Sequence, residues 1–534
     1  MIKRNVVFAY IPQVLFSILL AYVILMGIIS TDFGYHWDEQ RVILAVQNSI
    51  STGLLLPRRY NYPSMTYNVS ILTAFVDPNV VTLAIRTIKR GEKPNTEDIV
   101  RLLNGTAFRL KLRSIFFLLC MFIGIPVYFL VKQLSKNAWI ALYSGLASIS
   151  AWEYIYHARW VAPDGLLALF VSWSLLSQYQ ILTSERQNQR IAWVIISAIF
   201  AGFCIGTKYP GGIVLIPLLI SIIISHRRNK STALPILLAI GLIVPATVFI
   251  ITTPGSLLEP IKFLHNVRFE MAHYSQGHGG YSVNSFWEHF SKLFVYLTSV
   301  LLSKNTVLAL AATMFAVLGA FYLLKSHIEI GIWFLSLPIF YSLYMSTQSV
   351  MIVRNYILLL PFFAILMGLG LYATTSAAQN RYGLRFLLGT AAFFFIVYNM
   401  SVMTKSSLSI FRPHTISVKS AIESRLISSP EIRFFLSPRS FDFLGVASGS
   451  KHYNITDSID LADRFIFFSS EVSDWKLFLA NVPSRYRTIW SELDEVNWDF
   501  YPSWEGHSRV LEISAKEKDL NPLISGILIK DFRR

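Results

Sequence analysis

The sequence predicts a polytopic α-helical membrane protein of about eleven transmembrane helices, followed by a small α/β domain outside the membrane. Three observations predict it. Only 15% of the 534 residues are charged while 54% are hydrophobic, against about 25% charged in an average soluble protein. Apolar runs of roughly 17–25 residues, long enough to cross a bilayer as helices, recur up to residue 404. The charges that remain are sorted by side. A formal net charge of +16 would suggest nucleic acid in a soluble protein, but here it first reports which face of a membrane carries it.

The runs fall at about 6–29, 112–131, 138–154, 164–182, 191–206, 211–225, 233–252, 305–324, 330–347, 355–374 and 386–404. Lys3 and Arg4 precede the first. That run is too long for a signal-peptide core and reaches Ser30 without a small-residue cleavage site, so it reads as an uncleaved span. With the N-terminus in the cytoplasm, the inside segments carry Lys3, Arg4, Lys132, Lys136, Arg186, Arg190, Arg227, Arg228, Lys230, Lys325, Arg381 and Arg385. Only Glu185 and Glu329 oppose them, as the positive-inside rule requires. The expected location is the plasma (inner) membrane, multi-pass, with the long loops and the C-terminal domain extracytoplasmic.

Three outer stretches are long: about 30–111, about 253–304 and the tail from 405 to 534. The outer segments up to 404 hold eighteen cations and twelve acids, and the tail seventeen of each. Ordinary soluble composition, strand-like Ile432–Leu436 and Arg464–Phe468 and helix-like Val418–Ile427 make the tail an α/β domain, separate from a membrane domain over 1–404. Cys120 and Cys204 lie inside apolar runs, which leaves no disulfide framework and no cysteine zinc site.

The unusual polar groups crowd onto the outer face. Asp38 and Glu39 follow the first span and lead into Val42, Ile43, Val46 and Ile50 at helical spacing, an interfacial helix. Asp38 reads equally as a helix N-cap, with Glu39 in the first turn, or as a surface carboxylate whose partial desolvation suits it to general-base work. The next outer loop runs from His157 through Arg159 to Pro163-Asp164. Another, Gly206-Thr207-Lys208-Tyr209-Pro210, places a lone lysine at the boundary, and Arg354-Asn355-Tyr356 opens a late span in the same layer. Each cation alone is usually a snorkelling anchor. Three on one face beside two acidic loops are a less ordinary set. In the second long stretch, Glu270, His273 and His278 read either as metal ligands, without a strong zinc spacing, or as part of a loop hinged at Gly277, Gly279 and Gly280.

Asp38-Glu39 after span one, Arg159…Pro163-Asp164 before span four, Thr207-Lys208-Tyr209-Pro210 and Arg354-Asn355-Tyr356 together resemble the GT-C glycosyltransferases. The resemblance is to the phospholipid-carrier-dependent enzymes related to protein O-mannosyltransferases and aminoarabinose lipid A transferases. It covers about 5–404 and is carried by motif order and shared sidedness, strengthened by Thr252-Thr253-Pro254 and Arg268-Phe269-Glu270…His273-Tyr274. It departs at Tyr62-Pro63-Ser64, where many members have consecutive prolines.

The resemblance implies a GT-C-like membrane domain that inverts the anomeric centre while moving a sugar from a polyprenyl-phosphate-linked donor to an acceptor hydroxyl on a glycan, lipid or protein. It implies Asp38 as the base, with Glu39 and Asp164 orienting the base, the acceptor or a divalent metal ion. Lys208 and Arg354, with Arg159 and Arg268 behind them, would hold the donor phosphate. That leaving group is already stable and needs positive charge more than a second acid. The implied surroundings are membrane lipids, with no nucleic-acid partner and no cofactor beyond the optional metal.

The rival reading is a multi-pass transporter or flippase of a lipid-linked or anionic substrate. It predicts ionisable groups at mid-membrane and inverted repeats, whereas the mid-membrane stretches here are nearly free of charge and no repeat is visible. A non-catalytic assembly or sensor protein is the third reading.

Overall fold

The computed structural model describes residues 2–31, 37–90, 95–229, 234–277, 281–410, 426–436, 454–455, 461–468, 487–496 and 505–514. The chain divides into two units. One comprises Met1–Ile28 with Arg41–Thr404, the other Ile29–Gln40 with Lys405–Arg534.

The described helices are, in order, α1 (Ile2–Ile28), α2 (Trp37–Thr52), α3 (Met65–Val76), α4 (Pro78–Lys89), α5 (Thr96–Asn104), α6 (Thr106–Met121), α7 (Gly124–Ser135), α8 (Ala138–Ser150), α9 (Trp152–Ala158) and α10 (Pro163–Thr183). They continue as α11 (Gln187–Thr207), α12 (Leu215–Asn229), α13 (Leu234–Thr252), α14 (Gly255–Leu258), α15 (Pro260–Gln276), α16 (Phe286–Ser299), α17 (Thr306–Ser326), α18 (Ile328–Ser346), α19 (Leu360–Ala377) and α20 (Tyr382–Ile410). Two 3-10 turns, Tyr209–Val214 and Val353–Leu359, lead into α12 and α19.

Among the described residues ten helical segments are long and apolar enough to cross a membrane, or eleven if the bent α3–α4 pair counts as one. This is a multi-pass membrane protein. Ten of the eleven expected spans coincide with these segments. The run expected over 138–154 behaves differently. It gives the thirteen-residue α8, after which Ala151 is extended (φ −62°, ψ 119°) before α9 begins. Apolar composition continues across that break, so a hydropathy reading merges the two helices.

Local chemistry sets the helix ends. Lys136 takes a left-handed conformation after α7, and the Asn137 side chain then accepts from the backbone N–H of Trp139 at 2.9 Å and Ile140 at 3.3 Å. That caps α8 and turns the chain sharply back. The stretch before α6 contains α2 to α5. α3 and α4 meet at 51°. Asp77 stands at that bend, accepting from Asn79 N at 2.8 Å and pairing with Lys111 at 2.7 Å.

The segments Pro163–Thr183 and Val353–Ala377 form the centre of the bundle, 83% and 78% buried, whereas Leu234–Thr252 and Tyr382–Leu408 are only 22% buried and turn their apolar faces outward. α17 and α19 approach through Gly319 and Gly370. A Cβ on Gly319 would collide with the carbonyl of Leu366, and one on Gly370 with the carbonyl of Phe315. Small residues of this kind let membrane helices pack backbone to backbone.

The second unit contains a four-stranded sheet of β1 (Phe434–Leu436), β2 (Arg464–Phe468), β3 (Arg487–Val496) and β4 (Glu505–Ser514), in the order β1-β2-β4-β3. β1 and β2 are parallel, with Phe434 opposite Arg464, and the other pairings are antiparallel. Both strands expected in the tail are present. Most of the helix expected over 418–427 lies outside the described residues.

Candidate active site

At one end of the bundle the start of α10, the end of α11 and the turn before α19 converge. Asp164 occupies the first turn of α10 behind Pro163, where proline fits a helix start and a carboxylate complements the helix dipole. Lys208 caps α11 in extended conformation (φ −155°, ψ 134°). The following turn is tight, with Gly211 N donating to the Lys208 carbonyl at 2.8 Å. A side chain at Gly211 would meet the carbonyl of Cys204, so glycine is required at this approach. Arg354 and Asn355 open the 3-10 turn at Val353.

These four side chains form one buried cluster, each less than a tenth exposed. Lys208 Nζ donates to Asp164 Oδ1 at 2.7 Å and to Asn355 Oδ1 at 2.6 Å. Arg354 Nε lies 4.0 Å from Asp164 Oδ2. Tyr274 donates to Asn355 Oδ1 at 3.4 Å, and Lys208 Nζ stands 5.7 Å from the centre of the half-buried Tyr62 ring. Burial alone would depress the lysine, but the facing Asp164 carboxylate outweighs it and raises Lys208 above its ordinary value.

The cluster has two cations and one carboxylate, so it is locally positive in a poorly screened setting. It also has donor capacity to spare. Lys208 carries three N–H groups, of which Asp164 and Asn355 take two. Because Asn355 uses its oxygen toward Lys208, its Nδ2 is the remaining polar atom, and it has no partner among the described residues. A buried amide donor in a cluster with two cations suits an anion with several oxygens.

The stretch between α2 and α3 folds over this end. Tyr60 N donates to Asn266 Oδ1 at 2.9 Å, Tyr60 Oη to Glu259 Oε2 at 2.6 Å, and Tyr209 Oη to the Tyr60 carbonyl at 2.6 Å. The Thr252-Thr253 pair anchors it from below: Ser64 N donates to Thr253 Oγ1 at 3.2 Å and Asn68 Nδ2 to the Thr252 carbonyl at 2.7 Å.

The other expected site residues scatter. Arg159 is wholly buried, with its guanidinium 5.8 Å from the Phe117 ring centre, and burial pushes it down to about 9, still charged at neutral pH. Arg268 is exposed on α15 and makes no ion pair among the described residues. Glu270 accepts from Asn61 Nδ2 at 3.2 Å, and the His273 ring meets Tyr274 edge-on at 6.0 Å. His278, Gly279 and Gly280 lie outside the described residues, and no group of three metal-ligating side chains occurs among those described. Gly277 has φ 102°, which glycine adopts without strain. α2 begins at Trp37, so Asp38 and Glu39 sit together inside its first turn, both buried. Residues 29–40 are part of the second unit.

Asn355 and Tyr274 join the cluster unexpected from the sequence. Asn355 was within reach, since it stands inside the same Arg-Asn-Tyr triplet.

A family model described as dolichyl-phosphate-mannose-protein mannosyltransferase matches residues 93–252. No curated protein matches by sequence. Among solved structures, ArnT from Cupriavidus metallidurans bound to undecaprenyl phosphate is similar at a TM-score of 0.56 and 12% identity, over 94% of this chain and 98% of that one. The same protein in the apo state gives 0.55 at 14% identity, over 94% and 97%. An oligosaccharyltransferase from Archaeoglobus fulgidus gives 0.46 at 9%, over 85% of this chain and 65% of that one. The family model and the fold agree with the resemblance, and the fold is ArnT-like.

Proposed function

We propose that this chain is an integral-membrane inverting glycosyltransferase that moves a sugar from a polyprenyl-phosphate donor to an acceptor hydroxyl on the outer face of the plasma membrane. One observation carries the reading: the buried, net-positive cluster of Lys208, Arg354 and Asn355, whose amide donor has no partner among the described residues. A sugar leaving from phosphate returns its bonding electrons to a phosphate oxygen, and fixed donors aimed at that oxygen stabilise the charge. The family match and the undecaprenyl phosphate held by a protein of the same fold support a lipid phosphate as that anion.

The chemistry divides among few residues. The acceptor oxygen attacks the anomeric carbon from the face opposite the phosphate, so one C–O bond forms as the other breaks and the configuration inverts. Asp38 takes the acceptor's proton, with Glu39 beside it. Asp164 orients the Lys208 ammonium through their 2.7 Å bond. Arg159 and Arg268 add positive charge farther out, and the apolar bundle faces shelter the prenyl chain. The acceptor is a glycan, a lipid or a protein bearing a free hydroxyl.

The test uses sealed inside-out and right-side-out vesicles with radiolabelled polyprenyl-phosphate sugars. Transfer is expected only at the outer face, and Asp38→Asn should reduce it by about 10²–10⁴-fold. Transfer confined to the cytoplasmic face, or undiminished in Asp38→Asn, overturns the proposal.

A further inference from the structure

The backbone that presents Arg354 and Asn355 is not held by a regular helix. α18 ends at Ser346 and the 3-10 turn starts at Val353. The strip between them is fixed from outside. Ser349 N and Val350 N donate to the Tyr274 carbonyl at 2.9 and 3.3 Å, Val283 N to the Ser349 carbonyl at 2.8 Å, and Met351 N to the Tyr281 carbonyl at 2.8 Å.

One side chain grips this strip at both ends. His289 on α16 is wholly buried. Its Nδ1 lies 2.7 Å from the Gln348 carbonyl, and its Nε2 bonds to the Tyr356 hydroxyl. A carbonyl only accepts, so Nδ1 carries the proton, Nε2 presents a lone pair and Tyr356 donates to it. Burial holds His289 below its ordinary value, in keeping with a neutral ring. Tyr356 is flanked by the rings of Tyr296 and Tyr341 at 6.4 and 6.1 Å, and Tyr341 Oη donates to the Asn355 carbonyl at 2.7 Å.

We infer that His289 is a positioning residue for the donor phosphate: by joining Gln348 to Tyr356 it fixes the turn between them and so sets where Arg354 and Asn355 stand relative to Lys208. The inference rests on the phosphate-binding reading proposed above. It assigns a purpose to a histidine that touches none of the three proposed phosphate-binding side chains. The Lys208–Asn355 bond is short, at 2.6 Å, and misplacement by about 1 Å can cost on the order of 10²-fold in rate. A staple spanning the turn is therefore a direct control on the cluster.

The two bonds can be separated by substitution. In His289→Asn the amide nitrogen takes the place of Nδ1 and keeps the Gln348 bond. In His289→Gln the side-chain oxygen reaches the place of Nε2 and keeps the Tyr356 bond. With purified protein and a polyprenyl-phosphate sugar, His289→Ala is expected to raise the donor KM at least tenfold while the acceptor KM stays at the wild-type value. Asn and Gln should each recover part of the loss, and His289→Ala should add less on an Arg354→Ala background than on wild type. An unchanged donor KM, full additivity with Arg354→Ala, or equal rises in donor and acceptor KM alongside a fall in Tm each overturn the inference. If His289→Ala does not fold, the Asn and Gln variants decide, and wild-type donor KM in both rejects the staple. Wild type without transfer, or Arg354→Ala with a normal donor KM, instead overturns the phosphate-binding reading beneath it.

Discussion

Lys208 and Asp164, forty-four residues apart, meet in a buried ion pair with 2.7 Å between Nζ and Oδ1. A lysine at the end of a spanning helix ordinarily extends its ammonium toward water. This one is 3% exposed and turned inward to a carboxylate and an amide oxygen. Such a pair is a weak source of net stability, but breaking it is costly because the survivor remains buried without compensation.

The pair can therefore be separated from the function. Lys208→Met should lower stability, by at most about 3–5 kcal/mol, because Asp164 keeps only the 4.0 Å Arg354 contact in place of its 2.7 Å ammonium partner. Adding Asp164→Asn should restore much of that loss, since no charge is then stranded by the missing ammonium, yet donor binding should stay impaired. Thermal unfolding in detergent with donor titration of wild type and the two variants checks this. Recovery of donor binding in the double variant would place the phosphate elsewhere.

The same pair predicts an alkaline response. Burial acts to lower Lys208, Asp164 acts to raise it, and the net direction is upward. A raised lysine is fully charged below the ordinary value of about 10.4, and its contribution is lost only as pH climbs through the higher folded value. The donor is a phosphodiester with no titration in this range. Donor affinity of the wild type should thus be flat from about pH 7 to about pH 10. In Asp164→Asn burial and Arg354 act to lower the lysine against Tyr274 alone, and affinity should fall within that window. A wild-type decline there would show that the pair does not hold the charge.

Packing of the bundle offers a prediction away from the site. Gly319→Ala places a methyl against the Leu366 carbonyl where α17 and α19 approach. Backbone cannot yield as a flexible side chain does, so the helices must part, at about 1–3 kcal/mol. A lower Tm with an unchanged donor KM is the expected pair of results. An unaltered Tm would mean that the helices pass farther apart than described.

Much of this was legible in the sequence because bilayer physics writes long signals. Ten of the expected spans and the short apolar α8 follow from runs of apolar residues alone. Asp164, Lys208 and Arg354 stood out as charges bordering such runs, and the structure gathers them. What the sequence could not convey was partnership. Arg268 has the same residue type and the same face by reading, yet its position on α15 leaves it exposed. The bend at Asp77 and the break at Ala151 depend on a lysine thirty-four residues away and on backbone conformation, neither visible in hydropathy. His289 lies in an unremarkable amphipathic helix, and only tertiary contact with Gln348 and Tyr356 marks it.

On the proposed reading the Lys208–Arg354–Asn355 cluster holds the carrier phosphate. Its most direct measurement is the binding of polyprenyl phosphate, the donor without its sugar, to wild type, Lys208→Met and Arg354→Ala in the same detergent. Saturable binding to wild type is expected, weakened at least tenfold, or about 1.4 kcal/mol, in each variant that remains folded. Equal affinity in all three would contradict it.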